Sequence, residues 1–330
     1  MKILVVGLGS MGKRRVRNLQ ALGVREVYGF DPRPDRREEA LKKYDIQVFQ
    51  NFEEALVKNP DIMVISTPPD LHMEYAFIAL ERKLHCFIEA SVVDADRILE
   101  LGKSVEGTGL VFAPSCTMRY FPGPAKAKEL VQSGVLGRIL TINYHVGQYL
   151  PDWHPWEDIQ DYYVSKPETG GAREIVPFEL TWLNDVFGPA IALGCHKAKQ
   201  SSMSAHIDDV YFCLCRYESG AILNLTVEVL SRPKATRELR VLGEEGELVF
   251  SSDTNSIRFI NTSMNDWEEV SFAHGTLESN YINPEEPYIA EMRDFLRAIR
   301  DGGKSPFPNT LTDDHDVLQL LYSLEREAVR

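Results

Sequence analysis

Met1-Lys2-Ile3-Leu4-Val5-Val6-Gly7-Leu8-Gly9-Ser10-Met11-Gly12 decides the fold of this 330-residue chain. An apolar, β-branched run leads directly into three glycines spaced G-x-G-x-x-G and then into a helical pattern, which predicts a strand, a tight turn and a helix. Each glycine has its own task. Gly7 makes the turn, Gly9 lets backbone amides approach a diphosphate, and Gly12 brings the helix close to the strand. The diphosphate would lie over Ser10 and Met11 at the helix N-terminus, where unpaired amides and the helix dipole favour negative charge. A second strand, 26–30, ends in Asp31, about twenty residues on, where the motif needs an acid for the adenosine ribose. That acid accepts from a free ribose and repels a 2′-phosphate, so the cofactor expected is NAD before NADP. Arg33, Arg36 and Arg37 stand against this preference, since a nearby cation offsets the acid.

Outward from this unit, strand and helix patterns alternate: helix 32–44, strand 46–49, helix 52–58 and strand 61–65, which ends at Ser66-Thr67-Pro68-Pro69. A helix 70–81 with Asp70 as its N-cap, strand 84–88, helix 94–106 and strand 110–113 follow. Such alternation implies parallel βαβ units in a doubly wound sheet, with ligands at the carboxyl ends of the strands. Asp31, Ser66-Thr67-Pro68 and Glu89-Ala90 are therefore expected to line one cleft. From about residue 122 the pattern changes. A helix to 131 and a strand 138–148 precede the loop Tyr149-Leu150-Pro151-Asp152-Trp153-His154-Pro155-Trp156-Glu157-Asp158. Gly170-Gly171 opens a helix that contains Pro177, in its first turn or at a kink, and closes near Phe187-Gly188. Alternating patterns at 210–217, 221–229, 236–242, 246–250, 256–260 and 267–272 are joined by short turns, as in an antiparallel sheet. Helices 285–300 and 312–329 close the chain. The fold class expected is α/β: a doubly wound parallel sheet in 1–120, then an α+β domain in 121–330 with a large open, mainly antiparallel sheet. The last helix can pack back on the first domain.

Composition narrows the function. A net charge of -13 argues against a nucleic-acid or anionic-membrane surface. No apolar window is long enough to cross a bilayer or to act as a signal peptide, so a cytoplasmic protein is expected. The five cysteines include no C-x-x-C pair, so neither a disulfide framework nor a metal site is indicated, and Cys213 and Cys215 read as one face of a core strand.

Several stretches together resemble the Gfo/Idh/MocA family of NAD(P)-dependent oxidoreductases, which includes glucose-fructose oxidoreductase and inositol dehydrogenase. They are the glycine motif, Ser66-Thr67-Pro68-Pro69-Asp70-Leu71-His72, Met118-Arg119-Tyr120-Phe121-Pro122, Ser133-Gly134-Val135-Leu136-Gly137-Arg138-Ile139, Gly170-Gly171 before a helix ending in Phe187-Gly188, and Glu247-Leu248-Val249-Phe250. The resemblance implies a Rossmann domain, His72 on the cofactor side, and an open sheet that joins copies into a homodimer or homotetramer. It also implies Glu-Lys-Pro after the fifth strand and an aspartate and a histidine on the helix after the glycine pair. Here Glu89-Ala90-Ser91, Ile175 and Phe178 stand at those places, so both usual proton carriers are absent.

Hydride transfer belongs to the nicotinamide, and the protein supplies position and a proton acceptor. Glu179, as a carboxylate of raised pKa in a partly apolar site, and His154, in the aromatic loop, are the catalytic candidates; each also reads as an ordinary helix or loop residue. Glu174 lies five residues from Glu179, so the two do not share a helix face. Trp153 and Trp156 suit stacking on a sugar, and Glu157 and Asp158 suit its hydroxyls. Arg119 reads either as a clamp for a substrate carboxylate or phosphate or as a salt bridge between domains. Tyr162 and Tyr163 are further proton carriers. Two functions remain open at this point: an oxidoreductase acting on a hydroxyl or keto group of a sugar, sugar nucleotide or polyol, and a non-catalytic NAD-binding sensor or assembly partner.

Overall fold

The structure, a computed structural model, describes residues 1–155 and 157–329. Its elements run β1 (Lys2–Val6), α1 (Ser10–Ala21), β2 (Glu26–Phe30), α2 (Pro34–Tyr44), β3 (Gln47–Phe49), α3 (Phe52–Leu56), β4 (Ile62–Ile65), α4 (His72–Glu81), β5 (His85–Ile88), α5 (Ala95–Val105) and β6 (Phe112–Pro114). Next come α6 (Pro122–Gln132), β7 (Ile139–Gly147), α7 (Ala172–Phe187), β8 (Ala190–Ala198), β9 (Val210–Tyr217), β10 (Ile222–Glu228), β11 (Thr236–Gly243), β12 (Gly246–Ser251), β13 (Ser256–Asn261) and β14 (Glu268–Ser271). The chain closes with α8 (Glu286–Arg300), α9 (Leu311–Arg326) and β15 (Ala328–Val329). It divides into two compact units, Met1–Thr117 with Gly275–Asp316, and Met118–His274 with Val317–Arg330.

In the first unit the described strands are all parallel, in the order β3-β2-β1-β4-β5-β6. This is the order of a doubly wound dinucleotide fold, as the alternation of patterns implied. Residues 3–6, 62–65 and 86–88 are fully buried, because helices cover both faces of such a sheet. One local expectation fails: Asp70 is not the N-cap of α4, since Pro69–Leu71 form a 3₁₀ turn and α4 starts at His72 without a side-chain cap.

Helix α8 belongs to this unit, although the sequence placed 285–300 with the second. Charged residues on α1 are the reason. Glu285 accepts from Arg14 Nε (3.0 Å), Arg17 Nη2 (2.9 Å) and Asn18 Nδ2 (3.0 Å), and Glu291 accepts from Arg15 Nη1 (2.8 Å). A buried cation requires a paired anion, and α8 supplies two. Tyr288, Met292, Phe295 and Leu296 complete its buried stripe.

In the second unit the described strands form one sheet ordered β14-β13-β12-β11-β7-β10-β9-β8-β15. It is antiparallel except where β10 runs parallel to β7 and β15 to β8. Cys213, Cys215, Leu223, Leu225 and Val227 are buried on the face that α7 covers with Leu180 and Leu183. Strand β8 was not legible in the sequence, and the expected helix 312–329 stops at Arg326, leaving Ala328–Val329 to pair with Cys195 and His196.

Candidate functional site

The first unit presents a cradle at the carboxyl ends of β1, β2, β4 and β5. Gly7 has φ +89°, and a Cβ there would meet Ser66 O at 2.6 Å. At Gly12 a Cβ would fall 1.8 Å from Gly7 O, which is why helix and strand approach only with glycine at both positions. Gly9 differs: a Cβ there would touch only the Arg36 guanidinium, at 3.4 Å. Gly9 is also the N-cap of α1 with no side-chain cap bond, so the first-turn amides at Ser10, Met11 and Gly12 lack a capping side chain. A glycine clear of main chain beside uncapped helix amides is what a diphosphate needs. These residues fit a dinucleotide.

Asp31 is 2% exposed, and its carboxylate accepts from Leu8 N (2.7 Å) and Arg33 N (2.9 Å), which leaves lone pairs for a ribose hydroxyl. Of the three arginines, Arg33 turns to Asp35 and Arg37 to the carbonyls of Asp31 and Pro32. Arg36 is the one that faces the glycine turn, 3.7 Å from the Asp31 carboxylate.

The Ser66-Thr67-Pro68 stretch ends β4, and Ser66 Oγ lies 3.4 Å from Glu89 Oε1. His72 is 2% exposed, with Nε2 donating to Thr67 O (3.0 Å), so it braces the loop. Burial lowers its pKa, against the Thr67 bond and the Glu89 and Asp70 charges. Glu89 is held by Arg15, at 2.6 and 3.0 Å. Burial disfavours the charge on Arg15, but Glu89 and Glu291 outweigh it and raise its pKa. Glu291 in turn accepts from Ser115 Oγ (3.0 Å), Cys116 N (2.6 Å) and Thr117 Oγ1 (2.6 Å). Ala90 follows Glu89 where the family resemblance implied a lysine. The sequence reading missed Arg15; a run of Lys13-Arg14-Arg15 on a helix with a buried face was the available signal.

The second unit gathers a cluster from residues 149–174. Three 3₁₀ turns, Leu150–Asp152, Ile159–Asp161 and Tyr163–Ser165, fold the aromatic loop, and Asp158 caps the second through Gln160 N (2.9 Å). The loop is pressed onto the start of α7: a Cβ on Gly170 would fall 2.0 Å from Val164 O, and Gly171 has φ +64°. The imidazole of His154 stacks on Tyr162 (4.6 Å between centroids) and faces Glu157 at 3.5 Å. Tyr163 Oη donates to Glu174 Oε1 (2.7 Å). Among the described residues, Glu174 Oε2, Tyr162 Oη and Trp153 Nε1 are buried and find no hydrogen-bond partner. Burial holds the Glu174 carboxyl up at about 8, against the pull of the Tyr163 hydrogen bond. Burial and then the charges of Glu174 and Glu157 raise the Tyr162 phenol. Trp156 lies outside the described residues.

Glu179 stands elsewhere. It is fully buried, and its oxygens accept from Arg237 Nη2 (2.5 Å), Tyr144 Oη (2.6 Å) and Trp182 Nε1 (2.7 Å). A carboxylate so enclosed ties β7, α7 and β11 together, and both of its oxygens are already taken by donors. The five-residue separation turned one glutamate to the loop and the other to the core, in the opposite sense to the expectation. Arg119 lies beside α7 in its own unit, where it donates to Thr181 O (3.2 Å) and faces Asp185 at 3.4 Å.

A doubly wound dinucleotide cradle in one unit and an open, mainly antiparallel sheet in the other define the class of two-part, nucleotide-dependent oxidoreductases. Residues 1–112 match the family described as oxidoreductases with an NAD-binding Rossmann fold, and 125–249 match the GFO/IDH/MocA C-terminal domain. The chain belongs to the GFO/IDH/MocA family. A levoglucosan dehydrogenase of Pseudarthrobacter phenanthrenivorans is 24% identical over 337 aligned residues, covering 86% of this chain and 82% of that protein. Among solved structures, a levoglucosan dehydrogenase in complex with NADH superimposes with a TM-score of 0.83 at 17% identity, covering 99% and 98% of the two chains. An oxidoreductase from Agrobacterium radiobacter, in complex with NAD+, L-tartaric acid and magnesium, gives 0.86 at 13%, covering 99% and 96%. At those identities the likeness is one of fold. No helix among the described residues is long and apolar enough to cross a membrane.

Proposed function

We propose that the protein is an NAD-dependent oxidoreductase acting on a hydroxyl, or the matching ketone, of a sugar-like polyol, with Glu174 as its proton carrier. The observation that carries the reading is the Glu174 carboxyl, one oxygen bonded by Tyr163 and the other buried and unpartnered. The levoglucosan dehydrogenase relative supports the substrate class. NAD, when bound, takes or returns the hydride. Oxidation of an alcohol also needs a group to take its O–H proton, and Glu174 Oε2 is the group of the second unit suited to accept it, or to return it in reduction. Tyr163 fixes the carboxyl, and a pKa of about 8 lets it exchange a proton near neutrality. Trp153, His154 and Tyr162 supply stacking and hydroxyl contacts.

A non-catalytic NAD-binding protein is the second reading, resting on Ala90 and Phe178 in the family's proton-carrier places. One experiment separates the two. NAD reduction with levoglucosan and a panel of neutral sugars and polyols is expected to show kcat/KM rising with pH and levelling above about 8, because the base form of Glu174 accepts the proton. Glu174→Gln should lower kcat by about 10²–10⁴-fold with NADH affinity unchanged. Turnover that survives the substitution would sink the assignment of Glu174, and no turnover with any substrate would favour the second reading.

We further propose that copies of the chain associate through the outer face of the large sheet. Ile191 (52% exposed), Leu193, Phe212 and Leu214 stand together there on β8 and β9. An exposed apolar strip of this kind on a sheet is the ordinary mark of an interface.

A further inference from the structure

The cluster of residues 149–174 carries a charge pattern that bears on its ligand. Its loop holds Asp152, Glu157, Asp158, Asp161 and Glu168, against Lys166 and His154. His154 already faces Glu157 at 3.5 Å. Arg173, at the start of α7, is taken by Glu325 (2.6 Å) and by Glu168 O. Arg119 and Arg237, which touch α7 farther along, are paired with Asp185 and Glu179. Arg232 lies over the Tyr149 ring at 4.5 Å. The groups that lack a partner among the described residues are of another kind: a carboxyl oxygen of Glu174, a phenol of Tyr162 and an indole N–H of Trp153. A protonated carboxyl and a phenol each both donate and accept, and the indole donates. Hydroxyls, which also do both, match that set. A phosphate or carboxylate offers acceptors alone, leaves the accepting side of that set unmet, and brings a negative charge beside Glu157.

We propose that this cluster binds a polyhydroxylated ligand with no negative charge on the part that meets it, so that neutral sugars and polyols are taken and sugar phosphates, uronates and nucleotide sugars are refused. The inference rests on the reading of residues 149–174 as the substrate site and narrows it to a class. Two like charges about 4 Å apart under the screening typical of a protein surface disfavour association by roughly a hundredfold or more.

The test is equilibrium binding to the NADH-loaded protein, followed by tryptophan fluorescence with a Trp153→Phe control. The probes are levoglucosan, glucose and myo-inositol on one side, and glucose 6-phosphate, glucuronate and UDP-glucose on the other. At least one neutral probe is expected to saturate, with a Kd about 100-fold or more below that of every anionic probe. Glu157→Gln should narrow that gap by about tenfold, because it removes the carboxylate that repels an anion. An anionic probe binding as tightly as the best neutral one overturns the proposal, as does a gap unmoved by Glu157→Gln. Failure of all the neutral probes up to about 100 mM also overturns it. Binding is read without turnover, so neutral ligands that bind and are not oxidised would leave this inference standing while the oxidoreductase reading fell.

Discussion

Asp31 uses its carboxylate to accept the amides of Leu8 and Arg33, so it shapes the glycine turn as well as facing a ribose. Arg36, over Gly9 and 3.7 Å from that carboxylate, is the cation a 2′-phosphate would meet once the acid is gone. Asp31→Ser is therefore expected to weaken NAD about 10- to 100-fold, the cost of one or two lost hydrogen bonds to a charged group, and to let NADP bind. Fluorescence titration with both reduced cofactors checks this, and undiminished NAD preference would refute it. Asp31 was legible because its place is fixed by chain distance from the glycines. Glu174 and Glu179 were not, because helical spacing shows only that the two diverge. Their difference comes from partners distant in sequence: Tyr144 and Arg237 enclose one, while a folded loop leaves an atom of the other unpaired.

Among the elements, the parallel strands of the first unit were readable because burial on both faces makes each a plain apolar run. Strand β8 was not. Its large apolar residues, Ile191 and Leu193, point outward, and Ala190, Ala192 and Gly194, which alternate with them, give the other side no signature. The assignment of α8 escaped for a related reason: its amphipathic pattern announces a helix but not the surface it covers. Three side chains of α1 converge on Glu285. Breaking a buried ion pair by removing one partner costs about 3–5 kcal/mol. Glu285→Ala should therefore loosen α8 from α1, and amide exchange in residues 286–300 is expected to speed up well before that in β1 and β4. Equal acceleration everywhere would show that α8 and the parallel sheet open as one piece.

For the whole molecule, the outer face of the nine-stranded sheet is the surface to test. A strip formed by Ile191, Leu193, Phe212 and Leu214 sits beside polar residues of β10 and β7, among them Asn224 and Asn143. Placing charge in it, as Phe212→Asp with Leu214→Lys, is expected to lower the sedimenting mass to that of one chain of 37.4 kDa, with NADH binding retained. An unchanged oligomer would assign the contact to another surface. The acidic balance of -13 keeps the rest of the exterior mutually repulsive, which makes a patch of bare hydrocarbon the more consequential.

The unequal crowding of the three glycines has a practical corollary. A methyl at Gly7 or Gly12 collides with main chain, so those positions cannot be altered without dismantling the Rossmann unit itself. At Gly9 the same methyl meets only the tip of the Arg36 side chain, at ordinary contact distance. Alanine there yields an intact scaffold blind to its nucleotide, a tool with which the second unit's appetite for ligands can be studied while the redox chemistry is switched off.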